Sequence, residues 1–409
     1  MTQHLVLDQI IDAADARVVV RRDGAGQVAE AHFDLSGLPR VDALMVGRPV
    51  AEVPGLAQRL CGICPVAHHL AGVQALEALW GPVELTPTVQ LVRRLLNYGS
   101  VIDAHVLGFV AHDLPAVMAL RRLAKLAMAA AGSPRHFPTT AVVGGIASVV
   151  QPGDVASAIE QLPDALEAAR RLVSSTGQAS RQDFSGADVA LVDDDGRIDL
   201  LGRLVRAVAA DGTVIIDGET ADRWSQIVTE ARPGDPAPRP YLTSLGPTAG
   251  VYRTGPVAQL RVGQLGTPEA AEAQQRWLAA GGDAAEARAI IVLHCVEAIG
   301  QACQAPELLL DDIGSPLTPM PRAGEGTGWA ETGRGLLVHR YASGVDGTVT
   351  SATILTPTAQ NEPWLAALLT SAIDEAAMED AIREADPCLP CATALPGQMG
   401  LVVTTQTVE

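Results

Sequence analysis

The sequence predicts an α+β fold, mainly α, in which a central bundle of long helices carries a buried metal site. Apolar residues recur at helical spacing over much of the chain, β-type runs open it and recur later, and four cysteines form two close pairs at opposite ends. We expect one domain over residues 1–409, with an N-terminal β element at 1–58, an inserted β-rich lobe at 180–266 and a C-terminal metal-binding motif and tail at 386–409.

The first half of the chain begins with a predicted hairpin and continues with helices. Residues 16–22 and 27–34 alternate on either side of a turn, which is typical of a β-hairpin. Apolar residues then recur at helical spacing over 66–79 and 91–130, with an interruption near Pro115. These stretches should be core helices.

The middle of the chain changes from a helical to a β-type pattern. Asp154 is the expected N-cap of an amphipathic helix over 155–173. Between residues 180 and 266, short β-type runs such as 189–192 and 213–216 are separated by stretches rich in Asp, Gly and Pro. This composition predicts the inserted lobe.

Helices and strands alternate again towards the C-terminus. Thr267-Pro268-Glu269 has the N-cap, proline and early acid of a helix start, and helical periodicity continues to about residue 304. Residues 336–341 and 348–355 are predicted strands, and 362–384 is a predicted helix.

Charge and hydropathy exclude two classes of partner. The 47 acidic and 29 basic residues give a net charge of −18, which offers little to a phosphate backbone and argues against nucleic acid. No apolar run reaches the ~18 residues that a spanning helix needs, and no secretory signal pattern opens the chain. We therefore expect a cytoplasmic protein without a membrane span.

The two Cys-x-x-Cys pairs are the strongest chemical signal. Cys61 and Cys64 open the first long helix, and Cys388 and Cys391 follow the last one. If the pairs meet, their thiolates suit structural zinc, an iron–sulfur cluster or a softer transition-metal centre. Structural zinc usually staples small modules, whereas most of this chain lies between the pairs, which favours a functional metal centre.

These cysteines lie in longer motifs that carry a family resemblance. Arg59, Cys61, Gly62, Cys64 and His68, together with the C-terminal Asp-Pro-Cys-x-x-Cys, resemble the paired signature of the large subunit of nickel–iron hydrogenases. Within that family, the cytoplasmic, bidirectional, cofactor-coupled branch is the most similar. The resemblance continues through the following segments: Gly47-Arg48-Pro49, 134–138 with 143–145, 252–256, Gly333-Arg334-Gly335 leading to His339, and 357–361.

The resemblance implies a Ni–Fe centre whose iron carries CO and CN ligands. Cys61 and Cys388 would bind nickel terminally, and Cys64 and Cys391 would bridge to iron. Cys388 would also be the first proton acceptor. Four further roles are implied: Arg334 over the open site, Pro357 and Thr358 around the diatomic ligands, and His68 as a hydrogen-bond partner of a bridging sulfur.

Each of these roles has a structural alternative. His68 would otherwise be a core histidine, Arg334 an ion-pair partner of Glu331 or Asp386, and Thr358 a turn cap. We assign His69, His105, His112 and His136 to packing and hydrogen bonding, and Cys295 and Cys303 to the helix core.

The sequence departs from the family at three places. Asp42 stands where the family has a glutamate that serves a magnesium ion, and Ala394 replaces a histidine of the same site, which puts the magnesium in doubt. An N-terminal glutamate that relays protons is missing, and Asp12 or Asp15 are the candidates to replace it. Residues 395–409 resemble the tail that maturation removes.

The resemblance implies a hydrogenase catalytic subunit that interconverts dihydrogen with two protons and two electrons. The two remaining cysteines are too few for an electron relay, so an iron–sulfur small subunit, with or without further electron-transfer subunits, would accept the electrons. Two alternatives stay open: a low-turnover gas sensor or structural subunit, and a zinc-stapled scaffold related to quinone-reductase complexes.

Overall fold

A computed structural model describes residues 17–35, 42–59, 61–81, 83–176, 184–318 and 320–407. The helices of these ranges are α1 (Val53–Ala57), α2 (Pro65–Trp80), α3 (Pro87–His105), α4 (Leu114–Ala130), α5 (Pro152–Ser175), α6 (Trp224–Ile227), α7 (Gly246–Ala249), α8 (Pro256–Val262), α9 (Pro268–Ala280), α10 (Ala284–Gln304), α11 (Pro357–Ser371) and α12 (Glu375–Ala385).

The strands are short and belong to several small sheets. They are β1 (Arg17–Arg22), β2 (Val28–Phe33), β3 (Ala141–Val142), β4 (Gly145–Ile146), β5 (Ala187–Val192), β6 (Leu204–Val208), β7 (Val214–Thr220), β8 (Val228–Glu230), β9 (Pro240–Leu242), β10 (Tyr252–Arg253), β11 (Gly324–Thr332), β12 (Gly335–Ser343), β13 (Val349–Leu355) and β14 (Val402–Thr407). The predicted class, α+β and mainly α, is confirmed.

The N-terminal hairpin is confirmed, and a strand from the far end of the chain joins it. β1 pairs antiparallel with β2 and parallel with β14, in the order β14-β1-β2. The tail therefore contributes an edge strand that the sequence analysis missed. Its β-branched residues are a local signal, but a parallel partner so distant in sequence leaves no local pattern.

The long helices α3, α4, α5 and α10 pack against one another and form the central bundle. The predicted interruption near Pro115 is confirmed, because α4 starts at Leu114 and Asp113 caps it through the N–H of Ala116. The predicted N-cap at Asp154 is wrong. α5 already begins at Pro152, since proline is pre-organised for the first helical position, and Asp154 lies in its first turn.

α2 lies directly on β11, and two glycines allow this close approach. A Cβ at Gly326 would lie 2.1 Å from the Ala75 carbonyl oxygen, and one at Gly328 would lie 2.3 Å from that of Ala71. β11 was not predicted, because its glycine-rich sequence has low β-propensity. The contact fixes α2, which follows the first cysteine pair, against the sheet β11-β12-β13.

The segment predicted as a β-rich lobe contains a four-stranded sheet in the order β10-β5-β6-β7 and the hairpin β8-β9. The runs expected at 189–192 and 213–216 lie in β5 and β7. Short helices α6, α7 and α8 also lie in this segment. The boundaries proposed for the lobe and for the other subdivisions stay predictions.

The C-terminal third follows the predicted order with one correction. The strands expected at 336–341 and 348–355 are confirmed as β12 and β13. The single helix expected at 362–384 is two helices, α11 and α12, because Asp374 caps a new helix by accepting the N–H of Ala377. None of the described helices combines the length and the apolar character needed to cross a bilayer.

Candidate metal centre

The first cysteine pair sits on the loop that enters α2. Cys64 is the N-cap residue of this helix and Pro65 is its first residue. The N–H of Cys64 donates to the Cys61 sulfur at 3.4 Å, and the Cys64 thiol donates to the same sulfur at 2.9 Å. A free N–H at a helix start stabilises a neighbouring thiolate, so the loop prepares Cys61 to carry negative charge.

From the second pair, Cys388 reaches the same place on the turn after α12. The Cys388 sulfur lies 3.5 Å from that of Cys61 and 3.8 Å from that of Cys64. The N–H of Cys388 donates to the Thr358 hydroxyl at 2.7 Å, which ties this turn to the start of α11. The N-cap of α11 itself is Thr356, which accepts the N–H of Ala359.

The structure brings three of the four cysteines together. The sulfurs of Cys61, Cys64 and Cys388 all lie within 4.8 Å of one another, and Cys391 is outside this group. Cys391 is buried in the turn Pro390–Thr393, and burial raises the pKa of its thiol to about 11. The fourth thiol of the two motifs thus belongs to the neighbouring turn and not to the cluster itself.

The three clustered sulfurs have strongly different affinities for protons. Hydrogen bonds from Cys388 and Cys64 hold the pKa of Cys61 far below its usual range. The bond to Cys388, followed by the bond to Cys61, raises the pKa of Cys64, and the bond to Cys61 raises the pKa of Cys388 to about 12. The three thiols therefore titrate as a coupled set, in which Cys61 has the lowest affinity for a proton.

Arg334 brings a buried guanidinium to the cluster. It is 4% exposed, and its Nη2 lies 3.4 Å from Asp386, while Nε and Nη1 have no partner among the described residues. Burial acts to lower its pKa, but Asp386 and then the sulfurs outweigh burial and raise it. Of the two ion-pair partners considered, Asp386 is present, whereas Glu331 bonds to Gln259 and Leu191.

The loop that presents Arg334 is held by buried polar contacts. Gly335 has a φ of +125°, which suits glycine, and a Cβ there would lie 2.7 Å from the backbone nitrogen of Gly255. The Thr254 hydroxyl accepts the N–H of Leu336 at 2.8 Å. The Asn361 amide accepts the N–H of Thr254 at 2.8 Å and donates to its carbonyl at 3.1 Å. These bonds leave the Arg334 backbone little freedom.

A cavity of about 200 Å³ opens beside the sulfurs. The predicted site residues Asp42, Cys61, Cys64, His68, Arg334, Pro357, Thr358 and Cys388 all line it. Glu230 at the end of β8 and the following loop, 235–238, form another wall. Sequence reasoning did not single out this loop, because nothing in its sequence indicates that it faces the cysteines.

His68 lies one turn into α2 and faces the cavity, and its Nδ1 lies 2.9 Å from His339 Nε2. His69 is structural as predicted: its Nε2 accepts the N–H of Ala141 at 3.0 Å, and burial lowers its pKa to about 4. The sequence analysis named His339 only as the end of a motif and missed Tyr341, whose hydroxyl bonds to His339 Nδ1.

The other histidines and cysteines lie outside the cluster. His105 is buried, as expected, whereas the expectation of core packing is wrong for His112 and His136, which are exposed. Cys295 and Cys303 are buried in α10, as predicted. Asp12 and Asp15, the candidate proton carriers, lie outside the described residues.

The residues present fit a soft transition metal better than a hard cation. Three converging sulfurs are the ligands that nickel and low-spin iron favour. The two unpartnered nitrogens of Arg334 are buried donors at the wall of the same cavity, where a small bound acceptor would satisfy them. For magnesium, Asp42 lines the cavity, but Ala394 has no ligand atom in its side chain.

Comparisons with known proteins agree with this chemistry. Residues 40–115 match the family model described as nickel-dependent hydrogenase. The chain is 28% identical to the beta subunit of the NAD-reducing hydrogenase HoxS of Cupriavidus necator, over 99% of this chain and 97% of that protein. It is 27% identical to a subunit of the F420-non-reducing hydrogenase of Methanothermobacter thermautotrophicus, over 94% of this chain and 93% of that protein.

Solved structures extend the similarity to three dimensions. An NAD⁺-reducing [NiFe]-hydrogenase in the H2-reduced state superposes with a TM-score of 0.76 at 28% identity, covering 91% of this chain and 95% of that one. A [NiFeSe] hydrogenase from Desulfovibrio vulgaris Hildenborough shares the fold, with a TM-score of 0.67 at 17% identity over 90% of this chain and 94% of that one.

Proposed function

We infer that this chain, which belongs to the nickel-dependent hydrogenases, is the large catalytic subunit of such an enzyme and interconverts dihydrogen with two protons and two electrons. The observation that carries this function is the meeting of both Cys-x-x-Cys motifs in one cavity, beneath a buried arginine.

Cys61, Cys64, Cys388 and Cys391 are the residues proposed to hold a nickel–iron pair, whose iron would carry CO and CN. When bound, such a centre supplies a redox-active metal pair that polarises dihydrogen for heterolytic cleavage. The buried, electron-rich sulfurs suit this centre. Cys391, in the turn Pro390–Thr393, would have to come within bonding distance of the same metal pair as the other three sulfurs.

The protein's own groups have distinct roles around this centre. Cys388 is the proposed first proton acceptor, and its sulfur lines the cavity together with Arg334. The unpartnered nitrogens of Arg334 are positioned to hold a charged or polar group in the cavity. Thr358 accepts a bond from Cys388 and so keeps its own proton for a cyanide, while Pro357 closes the wall beside it.

A magnesium ion is a separate proposal that rests on Asp42 alone. Asp42 is 4% exposed and lines the cavity, which suits a ligand that works together with water molecules. Metal analysis of the parent and of Asp42→Asn tests it: magnesium bound to the parent at one equivalent and lost from the variant supports the site, and equal contents contradict it.

We further propose that the electrons pass to an iron–sulfur small subunit, with or without other electron-transfer subunits, in the cytoplasm. Both relatives described above are named as subunits of larger enzymes. Cys295 and Cys303 are buried in α10 and so do not provide a cluster path to the surface. Activity by the isolated chain should therefore be negligible.

The test is co-expression with the small subunit, followed by nickel and iron analysis, infrared spectroscopy of the CO and CN stretching region, and dihydrogen-driven dye reduction. Cys61→Ser and Cys388→Ser should lose nickel and activity. The control Cys295→Ala removes a buried thiol outside the cluster and should retain both.

Each of the rival functions has its own outcome in this experiment. Zinc without nickel in the parent would contradict the hydrogenase and favour the stapled scaffold. Nickel and CO bands without hydrogen–deuterium exchange would favour the sensor or structural subunit. The absence of the proton-relaying N-terminal glutamate is the observation that suggests this alternative.

A further inference from the structure

A line of three buried side chains leads away from the cysteine cavity. His68 of α2 lies at the cavity, its Nδ1 is 2.9 Å from His339 Nε2, and His339 Nδ1 bonds to the Tyr341 hydroxyl. His339 and Tyr341 lie two residues apart on β12 and are fully buried, and His68 is 4% exposed. His68 and Cys61 line the same cavity, so the line starts beside the sulfurs.

The end of the line determines the direction of its hydrogen bonds. Among the described residues, the Tyr341 hydroxyl has His339 Nδ1 as its one hydrogen-bond partner. A tyrosine hydroxyl always carries a proton at neutral pH when burial raises its pKa, as it does here. The O–H must therefore donate to Nδ1, because the reverse arrangement would bury a donor without an acceptor.

The direction then passes through both imidazoles. A neutral imidazole has one donor and one acceptor, and burial lowers the pKa of His339 well below its usual value. Because His339 accepts at Nδ1, its proton is on Nε2 and is donated to His68 Nδ1. His68 consequently carries its own proton on Nε2, the ring nitrogen left to face the cavity sulfurs.

We propose that Tyr341 and His339 are positioning residues that hold His68 as the Nε2–H tautomer, so that it presents a hydrogen-bond donor to the cysteine sulfurs. The inference rests on the proposed function for its consequence: an N–H donated to a thiolate withdraws electron density from the sulfur and weakens its donation to the metal. A proton wire is excluded as the role of the line, since Tyr341 ends in the core with no further described partner.

The test is Tyr341→Phe, which removes the hydroxyl and keeps the ring. The matched control is Tyr252→Phe, which removes an equally buried hydroxyl that bonds to Gln360 at 3.0 Å, away from the line. The first readout is ¹⁵N NMR of the full-length metal-free chain labelled on its histidine rings, with His68→Gln used for assignment. We expect Nε2–H for His68 in the parent and in Y252F, and a mixture of both tautomers in Y341F.

The second readout is the CO stretching band of the loaded complex. Losing the N–H donor leaves the sulfur more electron-rich, so Y341F should shift the band to lower wavenumber, in the same direction as His68→Gln, while Y252F leaves it unchanged. An unchanged His68 tautomer in a folded Y341F, or equal shifts in Y341F and Y252F, would overturn the proposal. Absence of CO bands in the parent would instead overturn the proposed function, and the NMR comparison would still decide the positioning role.

Discussion

Glu331 should make this protein less stable as the pH rises, and Glu331→Gln should remove that dependence. The carboxyl is fully buried, where it accepts the Leu191 N–H at 3.1 Å and the Gln259 amide at 2.8 Å. Burial raises its pKa to about 7, and the two hydrogen bonds offset burial only in part. Glu331 thus ionises in the folded protein only near neutral pH.

The size and sign of the effect follow from this pKa. An unfolded glutamate has a pKa near 4.5, so between about pH 4.5 and 7 the folded protein binds more protons than the unfolded chain. Stability must fall as the pH rises through that window. A pKa difference of about 2.5 at 1.36 kcal/mol per pH unit gives about 3 kcal/mol, fully present below pH 4.5 and fully lost above pH 7.

Glutamine is the suitable replacement because the site already contains its partner. Gln259 Oε1 is buried and has no hydrogen-bond partner among the described atoms. If the side-chain amide of Gln259 flips, its oxygen accepts the new N–H of residue 331. The single side-chain oxygen that remains on residue 331 still accepts the Leu191 N–H. The variant therefore keeps both contacts and loses only the ionisation.

The assay is urea unfolding of parent and variant from pH 4.5 to 8, followed by the fluorescence of the five tryptophans, of which the buried Trp329 lies two residues away on β11. The difference in unfolding free energy should be small at pH 4.5 and reach about 3 kcal/mol in favour of E331Q above pH 7. Subtracting the parent cancels the other titrating groups. A difference that stays constant over this range would refute the reasoning.

Two further substitutions test what holds the site in place. Gly328→Ala should destabilise the protein by about 2 kcal/mol, because its Cβ would lie 2.3 Å from the α2 backbone. The control Gly324→Ala should change little, since its Cβ would lie 3.5 Å from the nearest atom. Equal urea midpoints for the two variants would contradict this prediction. Asp188→Asn should cost about 3 kcal/mol, because Arg253 and Arg261, at 2.6 and 2.5 Å, lose their shared buried carboxylate; an unchanged thermal midpoint would contradict it.

Helices could be predicted far better than the contacts between distant segments. The apolar period of α2 to α5 and the Thr267-Pro268 start of α9 are local features of the chain. β11 and β14 were missed for different reasons. β11 is rich in glycine because it packs closely against α2. Glycine has a low β-propensity, so the sequence of this segment does not predict a strand. β14 is defined by a partner, β1, nearly the whole chain away.

In the candidate site, too, the residues that carry a motif could be predicted, whereas contacts that depend on the fold could not. Cys61 and Cys388 are 327 residues apart, and only the specificity of their motifs indicated that they meet. Arg334, Pro357 and Thr358 were named from a resemblance, and all three line the cavity. Tyr341 could not be identified in that way, since an aromatic residue on a buried strand is ordinary core until its hydroxyl is seen against a histidine ring.

The rigid part of the site is the part that is independent of Cys391. α2 is fixed by its contact with β11, and β11 continues through a tight turn to Arg334, so Cys64 and Arg334 are held by the same packed unit. Cys391 instead lies next to the tail, whose Gly397 N–H donates to Glu379 at 2.9 Å and whose β14 pairs with β1. The close contacts of α2 with Gly326 and Gly328 therefore fix the first cysteine pair, whereas the position of Cys391 depends on the packing of the C-terminal segment.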